Sequence, residues 1–201
     1  MDDGLRAELL RRMGKDQEAR QARDMDAVHE VDGENLPRLR ELIAARGWPG
    51  ASLVGTDGAH AAWLLVQHMD ADPAFQRQCL GLLTAAAEDG EAARTDLAYL
   101  TDRVLLAEGG QQVYGTQVHR QGGAWRPRNL GDPDGVDARR AAAGLGPLAG
   151  YLRRFDAYPV ESSQLKCHGC GGWVPFEPPE SGVAVTVSCQ YCGLESTFTV
   201  Q

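Results

Sequence analysis

Residues 59–68 read Ala59-His-Ala-Ala-Trp-Leu-Leu-Val-Gln67-His68. Apart from His60, the segment is apolar almost all round until it ends in an amide and an imidazole. A helix that is apolar on every side belongs in the middle of a bundle, because a surface helix carries only one apolar stripe. This segment therefore predicts a central helix starting near Thr56-Asp57, with other helices packed around it.

Working outward, residues 3–30 read as helical, with Leu5, Leu9 and Met13 every four residues. The same face continues as Asp16 and Arg20, with Gln17 beside it. Two readings stay open: the helix leaves the core for water, or its stripe meets a polar cavity. Asn35 reads as the cap of a second helix with Pro37 in its first turn, and Gly47-Trp48-Pro49 as its stop. Asp72-Pro73 opens a helix through Phe75, Cys79, Leu82 and Leu83. Another begins around Glu91, with Leu97, Leu100 and Val104 on its stripe. Gln112–His119 and Ala124-Trp-Arg126 predict a short hairpin, residues 129–135 a loop, and 136–143 and 148–155 two closing helical segments. The fold class is mainly α: a bundle of about five main helices with a short β-hairpin, plus a small C-terminal β zinc ribbon. The expected division is a helical domain over 1–158, a linker over 159–164 and the ribbon over 165–201.

The ribbon is read from two hooks, Cys167-His-Gly-Cys170-Gly and Cys189-Gln-Tyr-Cys192-Gly. Four thiolates at this spacing suit one tetrahedral zinc ion. Cys167, Cys170, Cys189 and Cys192 would close the coordination shell, so the expected role is structural. His168 reads as a neighbour of the site, not a ligand. Strands are expected at Trp173–Phe176, around Val183–Val187 and at Thr197–Val200.

The net charge is −8, and the apolar and charged fractions are 43% and 24%. Residues 161–201 hold one Lys and four Glu with no Arg or Asp. Such a chain lacks the cationic surplus that displaces phosphate counterions, which disfavours nucleic acid as a partner. The N-terminus carries neither a basic nor an apolar leader region, and no apolar run reaches spanning length. The expectation is a cytoplasmic protein with no membrane segment. The abundance of Ala, Arg and Gly points to a bacterial source. There is no G-x-S-x-G elbow, P-loop or H-E-x-x-H. Cys79, in apolar company, reads as an inert core thiol.

Several polar residues sit in apolar surroundings. A buried His68 is most simply a satisfied core residue, yet it and Gln67 need hydrogen-bond partners. Met13-x-x-Asp16-Gln17-x-x-Arg20, Gly47-Trp-Pro49, Val54-Gly55, Trp63-Leu-Leu-Val-Gln67-His68, Asp102-Arg103 and Gln112-Val-Tyr114-Gly-Thr116-Gln117 together resemble a bacterial family catalogued only as a domain of unknown function. The resemblance covers about residues 4–155 and leaves the cysteine hooks outside. It implies that these polar side chains belong together in one pocket. His68, Asp16 and Arg103 would be the catalytic candidates. Gln17, Arg20, Gln67, Gln112, Tyr114, Thr116 and Gln117 would bind ligand. A guanidinium of Arg20 or Arg103 suits an anion, and His68 suits proton transfer. The leading expectation is a protein that binds a small polar or anionic ligand, with general acid–base chemistry of hydrolase or lyase type. One alternative is a non-catalytic scaffold that docks a protein partner through the ribbon; the third is a nucleic-acid-binding ribbon.

Overall fold

The computed structural model describes residues 1–121 and 123–156, together with the strand residues 163–166, 173–176, 184–188 and 195–199. It is mainly helical. Five long helices, α1 (Asp3–Ala22), α2 (Met25–Arg46), α3 (Ala51–Gln67), α4 (Pro73–Glu88) and α5 (Arg94–Ala107), are followed by strands β1 (Val118–Gln121) and β2 (Ala124–Pro127). A 3-10 turn (Pro133–Gly135) then leads to α6 (Val136–Ala142) and α7 (Leu148–Asp156).

α3 is central as its composition predicts: it packs against α1, α2, α4 and α5. Its Val54, Ala61, Ala62, Leu65 and Val66 are buried with Leu9, Leu39, Cys79, Leu83, Leu100 and Val104 from the surrounding helices. The helical rotation starts afresh at Gly55, whose φ of 75° only glycine adopts without strain. This is why the pattern suggests a start at residue 56.

The first two helices depart from the sequence reading. α1 stops at Ala22; Arg23 takes a left-handed conformation, and the Asp24 side chain accepts from the Asp26 and Ala27 amides to begin α2. The break carries no Gly or Pro, so the pattern reads through it. Asn35 is not a cap. It lies within α2, 2% exposed, and its Oδ1 accepts from Arg12 of α1 at 3.0 Å. Pro37 also sits inside α2, where it forgoes one i→i−4 bond. Asp72 does cap α4, accepting from the Phe75 amide, with Pro73 at the first helical position.

The hairpin strands are shorter than expected. Gln112 makes only an isolated parallel bridge to Leu130, residues 113–117 form a loop, and the first hairpin strand starts at Val118. By compactness the chain forms two units, one of residues 1–118 and 127–150, the other of 119–126 and 151–201. In the second, Phe155 packs its ring against Trp125 and Tyr151, with centroids 5.3 and 5.1 Å apart. The same unit holds β3 (Ser163–Lys166) paired antiparallel with β4 (Trp173–Phe176), and β5 (Ala184–Ser188) paired antiparallel with β6 (Glu195–Thr199). Their innermost pairs are Lys166 with Trp173 and Ser188 with Glu195. In the chain, Cys167 and Cys170 fall between β3 and β4, and Cys189 and Cys192 between β5 and β6. All four lie outside the described residues.

Candidate functional site

Asp16 decides between the two readings of the first helix. It is 1% exposed, so the stripe does not run out into water; it meets the end of α3. Both Asp16 oxygens lie at 2.9–3.0 Å from His68 Nδ1. Oδ2 also accepts from Gln17 Nε2 at 2.9 Å, and Oδ1 from Arg20 Nε at 3.0 Å. Burial alone would raise this carboxyl. The hydrogen bond and charge of His68, the Gln17 amide and the Arg20 charge outweigh it and hold Asp16 below its ordinary value. An ionised Asp16 can only accept, so Nδ1 of His68 carries the proton that points at it. When the ring carries only that proton, Nε2 is the basic nitrogen. Among the described residues Nε2 makes no hydrogen bond. His68 closes α3 with φ −93° and ψ 0°, so its ring is placed by the last turn of the central helix and held from α1.

Arg20 is committed on two sides. Besides Asp16, its Nη2 reaches both oxygens of Asp32 on α2, at 2.7 and 3.0 Å. Arg103 is also paired: Nη1 donates to Asp70 Oδ2 at 2.6 Å, just past the end of α3. Gln76 of α4 ties this end together, with Nε2 at 3.1 Å from the Gln67 carbonyl and 3.2 Å from Asp70 Oδ1. Gln67 itself is 4% exposed, and its Oε1 has no hydrogen-bond partner; the Arg103 Nε is likewise buried and unpartnered.

The remaining predicted residues gather around Asp102, which is fully buried. Its carboxylate accepts from the amides of Val113 (2.8 Å), Tyr114 (3.0 Å) and Thr116 (2.8 Å) and from Thr116 Oγ1 (2.9 Å). Gln112 closes the same loop: Oε1 accepts from the Gln117 amide and Nε2 donates to the Gln117 carbonyl, both at 2.8 Å. Arg139 Nε and Arg140 Nη1 hold the loop's carbonyls at Val113 and Tyr114, each at 2.8 Å. Gly115, with φ 67°, lets the chain turn where a side chain would press on Leu148 and Pro127. The Gln117 side chain donates from Nε2 to Thr116 Oγ1 at 3.2 Å.

The structure thus brings Asp16, Gln17, Arg20 and His68 into one hydrogen-bonded group. It connects Gln67 and Arg103 through Gln76 and Asp70, and gathers Gln112, Tyr114, Thr116 and Gln117 around Asp102. Chain adjacency links these groups, at Gln67-His68 on α3 and at Asp102-Arg103 on α5.

Sequence reasoning missed Asp32, Asp70 and Gln76 as members, and Arg140, which is 2% exposed. Two of them left a signal. Gln76 lies on the stripe Gln76, Cys79, Leu83, Ala87, and Arg140 on Val136, Arg140, Ala143; a polar residue on a buried stripe asks for partners. Asp32 and Asp70 left none, because their roles depend on how α2 and the α3–α4 connection fold back.

A second carboxylate–imidazole contact lies elsewhere on α3. His60 Nδ1 is 3.0 Å from Asp96 Oδ2 of α5. Burial raises the Asp96 carboxyl, opposed in part by His60 and Thr95. Cys79, on the α4 core face, is pushed up to about 12 by burial and is an inert thiol. Among the described residues, no group of three or more His, Cys, Asp or Glu is placed to hold a metal ion, and no helix is long and apolar enough to cross a membrane.

The model of a family of unknown function, DUF6624, matches residues 2–162. The chain belongs to this family. The match ends before the first cysteine hook, so the family model comprises the helices and hairpin but not the cysteine-bearing tail. No curated protein and no solved structure matches the chain.

Proposed function

We propose that this DUF6624 protein binds a small polar molecule at the end of α3 and acts on it by general acid–base chemistry, of hydrolase or lyase type. The observation that carries the reading is the Asp16–His68 couple. A buried, ionised carboxylate fixes the Nδ1–H tautomer and leaves Nε2 as a base without a hydrogen-bond partner among the described residues. Asp16 orients the ring and stabilises the imidazolium formed when Nε2 takes a proton. Native mass spectrometry of the full chain, incubated with a small-molecule cell extract, tests the reading. The wild type is expected to retain a ligand that His68→Ala loses. Equal retention by wild type, His68→Ala and Arg103→Ala refutes it.

The tail has its own reading. Each cysteine pair lies between the strands of an antiparallel pair, and four thiolates fit a tetrahedral zinc ion with no open position. The zinc is proposed as structural. The second function reading, a tail that docks a protein partner, is favoured by the end of the family match at residue 162, because an appendage outside the family's unit is free to serve a separate contact.

A further inference from the structure

We infer that the ligand taken beside His68 is an uncharged carboxamide (an amide, urea or lactam group) rather than an anion; this rests on the acid–base reading above and specifies its substrate class.

The first observation is electrostatic. Both guanidiniums at this end of the bundle are already answered by carboxylates: Arg20 by Asp16 and Asp32, and Arg103 by Asp70. Three aspartates face two arginines, and the whole chain carries −8. An incoming anion would have to displace an aspartate from its arginine and sit beside it. Like charges in that position repel, and the low-dielectric surroundings of Asp16, 1% exposed, increase the cost.

The second observation is a hydrogen-bonding deficit. Gln67 is 4% exposed, and its buried Oε1 has no hydrogen-bond partner among the described residues. Its orientation is not a fold requirement, because only its backbone carbonyl is used, by Gln76 at 3.1 Å. Arg103 Nε is a buried donor with no acceptor, although Nη1 of the same side chain is held by Asp70. The unanswered acceptor at Gln67 Oε1 and the unanswered donor at Arg103 Nε sit on two residues joined through the Gln67 backbone carbonyl, Gln76 and Asp70, next in the chain to His68. Buried polar groups are left unpaired at a cost, which a ligand with the complementary pattern removes.

A carboxamide has that pattern. Its N–H group donates to Gln67 Oε1, and its carbonyl accepts from Arg103 Nε. A carboxylate has no donor, so it leaves Gln67 Oε1 unanswered and faces it with a second negative oxygen. An amidinium has no acceptor, so it leaves Arg103 Nε unanswered and faces it with positive charge. The neutral planar amide satisfies both groups.

Acetamide, acetate and acetamidinium are near-isosteric and differ in charge, so they isolate the point. The full-length protein is titrated with each while the ring resonances of His68 are followed by NMR. Acetamide is expected to move them with a dissociation constant about tenfold below that of either ion. Gln67→Met is expected to erase that preference while leaving the fold at least as stable, because the buried Oε1 has no protein partner to lose. Acetate or acetamidinium binding as tightly as acetamide overturns the carboxamide assignment but leaves the acid–base site standing. A strongly destabilised Gln67→Met also overturns it, since Gln67 would then be a structural residue. If no probe moves His68 and Gln67→Met changes nothing, the inference and the acid–base reading fall together.

Discussion

Replacing Asp16 by Asn keeps the shape of the side chain and removes its charge, so it tests whether the buried carboxylate holds α1 to α3. Asp16 accepts from His68, Gln17 and Arg20. Hydrogen bonds to an ionised partner contribute roughly 1.5–3 kcal/mol each in favourable cases. Their full sum does not apply. The side chains of His68 and Arg20 are 15% and 30% exposed, so water replaces part of what is lost, and Arg20 keeps Asp32. An Asn oxygen still accepts from His68. The expected loss is about 1–2 kcal/mol for Asn and roughly 2–3 kcal/mol for Ala near pH 7. The pH dependence is more diagnostic. The folded Asp16 carboxyl lies below its ordinary value, so its stabilisation is complete above the unfolded value of about 4. It disappears as pH falls through the lower folded value. Urea titrations of the full chain, followed by far-ultraviolet circular dichroism, measure both quantities. The gap between wild type and Asp16→Asn is expected to be present near pH 7 and to be smaller at about pH 3, below the unfolded value. A gap of the same size at both pH values, or none at either, would refute the coupling.

Asp102→Ala removes the acceptor of three loop amides and a hydroxyl. It is expected to destabilise the helical unit by about 3–5 kcal/mol and to release the amides of residues 113–116 to hydrogen exchange. Slow exchange there in the variant would count against this account. Zinc chelation is expected to release one zinc per chain and expose the four tail thiols to a thiol reagent. Cys79 should stay unreactive until the helices unfold, since burial pushes it up to about 12. Loss of the helical signal on chelation would show that the metal holds more than the tail.

How legible the site was can be argued residue by residue. Asp16 and His68 each looked like a polar residue intruding on an apolar pattern, and each is held by the other across fifty-two positions of chain. Periodicity reports which side of a helix is buried but not what that side meets, so Asp16 alone was equally consistent with water. The ordered set of family residues removed part of that ambiguity. Asp102 entered only as part of the Asp102-Arg103 motif, yet it organises the whole 112–117 loop. Nothing local distinguishes an aspartate that accepts four bonds from one that faces solvent.

The sequence by itself determined the helical class, the central place of α3, the cap at Asp72 and the inert setting of Cys79, because propensity, capping and apolar spacing act within a few residues. The tertiary structure decided the rest: the turn at Arg23-Asp24, Asn35 buried in mid-helix, the pairing of both arginines with aspartates, and the meeting of Asp16 with His68. Those depend on charge and hydrogen-bond partners that come together only when the helices pack, and a carboxylate or guanidinium carries no mark of its partner along the chain.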